Sequence, residues 1–258
     1  TIIKAKKSRD HTENIFKYLG IPIVLKKNTH NDEIRVKGQK LFKSFKYKVP
    51  SDPSSCAFFV VLTLLSKNCE LKIKNVNVNQ SRVGYIKVLN KMGAKIKIKN
   101  IRTKYGEKLA DILVKSQPAL KKINCPTSLN SNLIDEFLIL FLAAAKAKGV
   151  SNFSDLGELN KKESPRLKLG SQILNQLGIK TKLTKDSIKI FGDPEVNLKK
   201  SISIKNYYKD HRIFMTSVIA AFTFGGKWKI YDIDSYKSSF PSFLDIIKKL
   251  GYKFKLVR

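Results

Sequence analysis

Lys91-Met92-Gly93-Ala94-Lys95-Ile96-Lys97-Ile98-Lys99 closes one element and opens another. A large apolar residue followed by glycine suits the left-handed position at which a helix ends. The alternation of Lys with Ile behind it has the period of a half-buried strand. The same join recurs at Tyr18-Leu19-Gly20 before Ile21-Pro22-Ile23-Val24, at Gln176-Leu177-Gly178 before Ile179-Lys180-Thr181, and at Lys249-Leu250-Gly251 before Tyr252-Lys253-Phe254. The four glycines lie 73, 85 and 73 residues apart, too far for a solenoid and suited to a small α/β unit. A second, more apolar helix precedes each of the last three copies, over residues 54–65, 133–147 and 212–224. Strands such as Glu70-Leu71-Lys72-Ile73-Lys74 and Lys227-Trp228-Lys229-Ile230-Tyr231 separate the two helices of a copy. From residue 49 onward the chain therefore reads as three copies of a unit with two helices and several strands, and residues 1–48 as the second half of another. The opening Thr1 to Lys7 reads like a strand already in progress, so a truncated sequence is expected. An ordinary doubly wound α/β domain is the alternative, but no Gly-rich dinucleotide fingerprint follows a first strand, and a pseudo-threefold arrangement fits better.

The 258 residues are 42% hydrophobic, enough for a sizeable core. The run from Phe137 to Ala145 is broken by Lys146 and Lys148, short of the roughly 20 apolar residues that span a bilayer, so no membrane segment is expected. Three widely spaced cysteines, Cys56, Cys69 and Cys125, form no C-x-x-C pair; they argue against a disulfide scaffold or a zinc site and for a reducing, cytoplasmic compartment. The net charge of +31 suggests a nucleic-acid footprint. Its distribution argues against one, because only seven of the 51 basic residues are Arg and the lysines fall on alternate strand positions, the solvent face of amphipathic strands.

Polar residues crowd four helix starts: Ser8-Arg9-Asp10-His11-Thr12-Glu13, Asp52-Pro53-Ser54-Ser55, Lys162-Glu163-Ser164-Pro165-Arg166 and Asp210-His211-Arg212. The positive end of the helix dipole makes an added Arg unfavourable unless an anion is bound, so Arg166 and Arg212 look placed for a ligand. The plainer reading is a capped surface helix, with Ser164 as the cap and Pro165 at the first helical position. Asp52 and Pro53 need nothing beyond that reading, and Ser54 and Ser55 are taken as structural. Asp135 stands beside the most apolar helix, where burial would raise its pKa and suit it as a general base; otherwise it is an acid in a first helical turn. His11 and His211 flank no nucleophile elbow, and His30 reads as a solvated loop residue.

These segments resemble the enolpyruvyl transferase family in its shikimate-pathway form. The resemblance runs in order through Ser8 to Glu13, Val49 to Phe59, Asn90 to Ala94, Ile134 to Phe137, Glu158 to Leu167, Asp210 to Met215 and Ser239-Phe240-Pro241. It implies an inside-out α/β barrel: three βαβαββ units in a C-terminal domain over residues 49–258, with residues 1–48 the tail of an N-terminal domain. It further implies transfer of the enolpyruvyl group of phosphoenolpyruvate to shikimate 3-phosphate, without metal or organic cofactor, by an enzyme that is monomeric when complete. Residue by residue, Asp135 resembles the acceptor of the 5-hydroxyl proton, Lys162 a contact to the shikimate hydroxyls, and Glu163 the acid/base at C3 of phosphoenolpyruvate. Arg166 and Arg212 resemble the phosphoenolpyruvate clamp, and Arg9 a shikimate 3-phosphate contact from the other domain. Lys237 is not carried over, since relatives place a lysine immediately before the Ser-Phe-Pro triplet and Ser238 stands there. The family's Lys-Ser-x-x-x-Arg segment and Gly-rich loop have no counterpart, so the missing N-terminal domain is the implied partner and the piece is expected to be inactive alone. Two rivals remain: the UDP-N-acetylglucosamine enolpyruvyl transferase, and a basic nucleic-acid-binding module without catalysis.

Overall fold

A computed structural model describes residues 1–6, 8–28, 31–38, 41, 44–117 and 119–256. His30 lies outside them. The element order is β1 (Ile2–Lys6), α1 (His11–Tyr18), β2 (Ile23–Lys27), β3 (Asn31–Val36), α2 (Pro53–Leu65), β4 (Glu70–Asn77), α3 (Gly84–Lys91), β5 (Lys97–Lys104) and β6 (Glu107–Lys115). It continues with β7 (Leu120–Lys121), α4 (Asn130–Leu133), α5 (Phe137–Ala145), β8 (Ala147–Phe153), α6 (Arg166–Gln176), β9 (Thr181–Leu183), β10 (Ile188–Gly192), β11 (Leu198–Ile204), α7 (His211–Thr223), β12 (Gly225–Ile230) and α8 (Phe243–Lys249).

The repeat is visible in the sheets. β7 pairs parallel with β8, β8 antiparallel with β10, and β10 antiparallel with β9, giving the order first, second, fourth, third within one unit. The preceding unit has the order β4-β6-β5, with a parallel bridge from Ser51 to Val76 where a first strand would lie. β1-β3-β2 repeats the last three positions of the same order. In the final unit only β11 and β12 pair, in parallel. The strand expected at Tyr252–Phe254 is not formed; that segment runs irregularly, with Tyr252 and Phe254 packed on Phe222 of α7. A strand exists only through hydrogen bonds to a neighbour, and no described strand lies beside this one.

Helices α2, α5 and α7 are apolar on nearly every side and pack pairwise against one another at the centre of residues 49–256. A helix without a polar face has to be enclosed, and the sheets supply the enclosure. Phe137, Phe141, Leu140, Leu62, Leu64 and Ile219 are all fully buried there, each contributing about 1.5–3 kcal/mol of transfer free energy. α3 and α6 are one-sided by comparison, burying Tyr85, Ile86, Val88 and Leu89 or Leu167, Ile173 and Leu174. Gly170 lets α6 approach α5, because a Cβ there would stand 2.9 Å from Leu138 and 3.1 Å from Phe141.

The helix expected over residues 133–147 is two pieces. α4 ends at Leu133, the chain turns by 119° through Ile134–Glu136, and α5 begins at Phe137. Asp135 consequently sits in a break and not in a first helical turn. Among the described residues no single helix is long and apolar enough to cross a membrane.

Candidate active site

The three central helices start at one place, and each start is marked by an acid: Asp52 before α2, Glu136 before α5 and Asp210 before α7. Asp52 and Asp210 are N-caps in the strict sense, accepting from the backbone N–H of Ser55 at 2.7 Å and of Arg212 at 2.9 Å. Each acid also faces an arginine. Arg82 donates to Asp52 at 2.7 Å, Arg166 Nε to Asp210 at 2.9 Å, and Arg212 Nη1 stands 4.0 Å from Glu136 Oε1.

Asp135 is the centre of the cluster. Arg9, from the segment before α1, donates to Oδ2; Arg166 Nη1 lies 3.5 Å from Oδ1, Lys162 Nζ 3.9 Å from Oδ1, and Arg212 Nη2 3.8 Å from Oδ2. Arg212 Nη1 also donates to the Asp135 carbonyl at 2.9 Å. Glu163, more than half exposed, accepts from Arg166 Nη2. The six residues singled out in the sequence, Arg9, Asp135, Lys162, Glu163, Arg166 and Arg212, thus share one patch at the helix starts.

Three expectations need correction. Burial pushes the Asp135 carboxyl upward, but Arg212, Arg9 and Lys162 together take it below the usual carboxylate range, so the free site holds a carboxylate of low basicity. Ser164 does not cap α6, which has no side-chain cap; its hydroxyl donates to Asp210 Oδ2 at 2.7 Å. The helix-start charge of Arg166 is met by acids of the protein itself, since its side chain is only 2% exposed and is held by Asp210, Glu163 and Asp135. Burial likewise raises Asp210, and Arg166, Ser164 and the Arg212 N–H outweigh it, so that Asp210 is an ionised anchor.

Several members went unread in the sequence. Asp210 carries a local signal, since an acid just ahead of an apolar helix marks a cap. Arg82 occupies the position before α3 that Arg9 holds before α1 and Arg166 at the start of α6, and superposing the repeats on Ser8-Arg9, Ser81-Arg82 and Ser164-Pro165-Arg166 would have found it. Glu107 carries no local signal. It accepts from His11 Nδ1 at 2.7 Å and from Asn77 and Asn79 at 3.2 and 3.3 Å, docking the start of α1 on the β5–β6 turn. His211 is half-buried near Arg212 and is held below the usual imidazole range by burial first and Arg212 second. Lys237 is exposed and pairs with Asp234 at 2.6 Å, away from the cluster's contacts.

Apolar helices enclosed by sheets, with cations gathered at their N-terminal ends, define an enolpyruvyl transferase fold. The enolpyruvyl transferase NikO from Streptomyces tendae shares that fold at a TM-score of 0.72 and 14% identity, over 98% of this chain and 56% of the other. EPSP synthase from Acinetobacter baumannii superposes at a TM-score of 0.83 with 31% identity, over 96% of this chain and 56% of that one. The family model for EPSP synthase (3-phosphoshikimate 1-carboxyvinyltransferase) matches residues 1–247, and the chain belongs to that family. Proteins called 3-phosphoshikimate 1-carboxyvinyltransferase from Ruthia magnifica and Thermodesulfovibrio yellowstonii are each 38% identical, over 250 and 251 residues. The chain spans about half the length of these relatives, 56% in both cases.

Proposed function

We propose that the chain supplies the second domain, residues 49–258, and the tail of the first, residues 1–48, of a 3-phosphoshikimate 1-carboxyvinyltransferase working in the cytoplasm. The observation that carries the reading is the meeting of Arg9, Lys162, Arg166 and Arg212 around Asp135. In the proposed reaction the 5-hydroxyl of shikimate 3-phosphate adds to C2 of phosphoenolpyruvate while C3 gains a proton, and phosphate then leaves the tetrahedral intermediate. Arg212, together with Arg166 once Glu163 and Asp135 give up its outer guanidinium nitrogens, clamps phosphoenolpyruvate, a task for which planar guanidinium groups suit carboxylate and phosphate alike. Asp135 accepts the 5-hydroxyl proton, Glu163 serves C3, Lys162 holds the shikimate hydroxyls, and Arg9 reaches the 3-phosphate. The low basicity of Asp135 in the free protein fits this order of events. Anions arriving on Arg9 and Arg212 take up the charge that depresses the carboxylate, so its basicity rises when the substrates are in place. Rate then comes from orientation and from positive charge fixed where the intermediate becomes anionic.

The other half of the site has to come from a polypeptide equivalent to the rest of the first domain. Support for that partner lies on the first sheet, where Ile3, Ile34 and Leu25 are in register across one face and Ile3 is half exposed.

Phosphate release from phosphoenolpyruvate tests the reading. The chain alone is expected to turn over negligibly with shikimate 3-phosphate, and to do so measurably once combined with the N-terminal half of the T. yellowstonii relative. Arg166→Ala or Arg212→Ala in that pair is expected to lower kcat/KM by about 10²–10³. Turnover with UDP-N-acetylglucosamine in place of shikimate 3-phosphate, or indifference to both substitutions, would defeat it.

A further inference from the structure

Glu136 is next to Asp135 in sequence but belongs to none of the roles above. It is 2% exposed, and its Oε1 atom is buried without a hydrogen-bond partner. A carboxylate seldom stays ionised in such surroundings unless its lone pairs are satisfied. The groups facing it come from four elements. Arg212 at the start of α7 brings a guanidinium 4.0 Å from Oε1, Ser54 in the first turn of α2 offers its hydroxyl, and Arg82 before α3 stands behind Ser54, donating to its Oγ at 3.0 Å. Asp135, on its own segment, opposes ionisation. Arg82 is already engaged by Asp52, so much of its charge is spent there.

The carboxyl therefore sits at a balance that one nearby charge can tip. While Arg212 is free, its guanidinium favours the ionised form of Glu136. Once Arg212 holds an anion, that support is offset by the ligand and the buried carboxyl takes a proton from solvent. We propose that Glu136 is a positioning residue that sets the anion affinity of Arg212, carrying a proton when Arg212 is occupied and a charge facing the Arg212 guanidinium when it is empty. The inference rests on the reading of Arg212 as an anion clamp. Burial places the titration of Glu136 above the ordinary glutamate range, with Arg212 as its main counterweight.

Two measurements on the whole chain test it. Carbon-detected NMR of the Glu136 carboxyl in the free protein is expected to show titration above the ordinary glutamate value of about 4.3, moving higher still in Arg212→Ala. Titration in the ordinary range, unmoved by Arg212→Ala, would overturn the inference whatever the ligand does. Calorimetric titration with phosphoenolpyruvate across pH gives the second arm. Wild-type affinity is expected to fall by up to about tenfold per pH unit above the carboxyl's titration, the limit for one linked proton. Glu136→Gln, which fixes the neutral shape, should remove that dependence, leaving only the ligand's own phosphate ionisation common to both. Identical pH profiles in the two proteins would sink the inference while leaving the clamp intact. Absence of any wild-type binding even when the chain is combined with the N-terminal half of the T. yellowstonii relative would overturn the clamp, and the inference with it.

Discussion

Arg166 shows how far a side chain read correctly by type and place can differ in circumstance. Its position at a helix start was legible; that its countercharge comes from Asp210, forty-four residues along the chain, was not, because nothing local in a sequence reports a contact across a repeat. Removing one member of a buried pair leaves the other charged and unsolvated. Asp210→Asn is accordingly expected to lower unfolding free energy by about 3–5 kcal/mol in urea titrations, well beyond the loss of a helix cap. The pH dependence has a fixed sign. Asp210 and Asp135 both have depressed pKa values, so the stability they lend is complete above the ordinary aspartate range near 3.9 and is lost as pH falls through their lower values. Urea midpoints measured from pH 5 downward should decline in the wild type and decline less steeply in Asp210→Asn. A steeper fall in the variant would contradict the assignment.

At the level of elements, the glycine joins and alternating lysines were enough to place most helices and strands, because both signals are local. Gly20, Gly93, Gly178 and Gly251 all have positive φ, as a helix terminator does. What stayed hidden was irregular backbone. Asp111 on β6 accepts from the Asn75 N–H at 3.1 Å and from Asn100 Nδ2 at 2.9 Å, and both asparagines have left-handed φ where β4 and β5 slip register. One carboxylate thus pins a bulge on either side of its strand, a pairing that alternation of Lys and Ile cannot announce. Hydrogen bonds from Asn100 and Asn75 hold Asp111 down at about 2, so its contribution fails only in strong acid. Asp111→Ala is expected to raise amide exchange in β4 and β5 together, with β8 to β10 unaffected. Between helices the close contact is at Gly170, where Gly170→Ala should cost about 1–3 kcal/mol by forcing Leu138 and Phe141 apart, despite alanine's better helix propensity. A stabilised variant would mean that α5 and α6 can separate without penalty.

For the molecule as a whole, pseudo-threefold order was readable from glycine spacing, but the meeting of the three helix starts was not, since periodicity gives succession and not direction. The charge of +31 has a consequence at this scale. Like charges spread over the strand faces repel in the folded state and are screened by salt. Melting temperature should rise with added sodium chloride, and phosphate at equal ionic strength should raise it further; Arg212→Ala should abolish the phosphate increment alone. The first sheet is joined to the rest at both ends of α1. Arg9 and His11 reach Asp135 and Glu107 at one end, and at the other Tyr18 meets Tyr105 at 5.6 Å, beside Gly106, where a Cβ would stand 2.6 Å from the Asn14 carbonyl. α1 is consequently held by charge at its first end and by aromatic packing at its last. Its eight residues measure about 12 Å, so a tilt of about 10° about the aromatic end would move Arg9 by about 2 Å, enough to part it from Asp135.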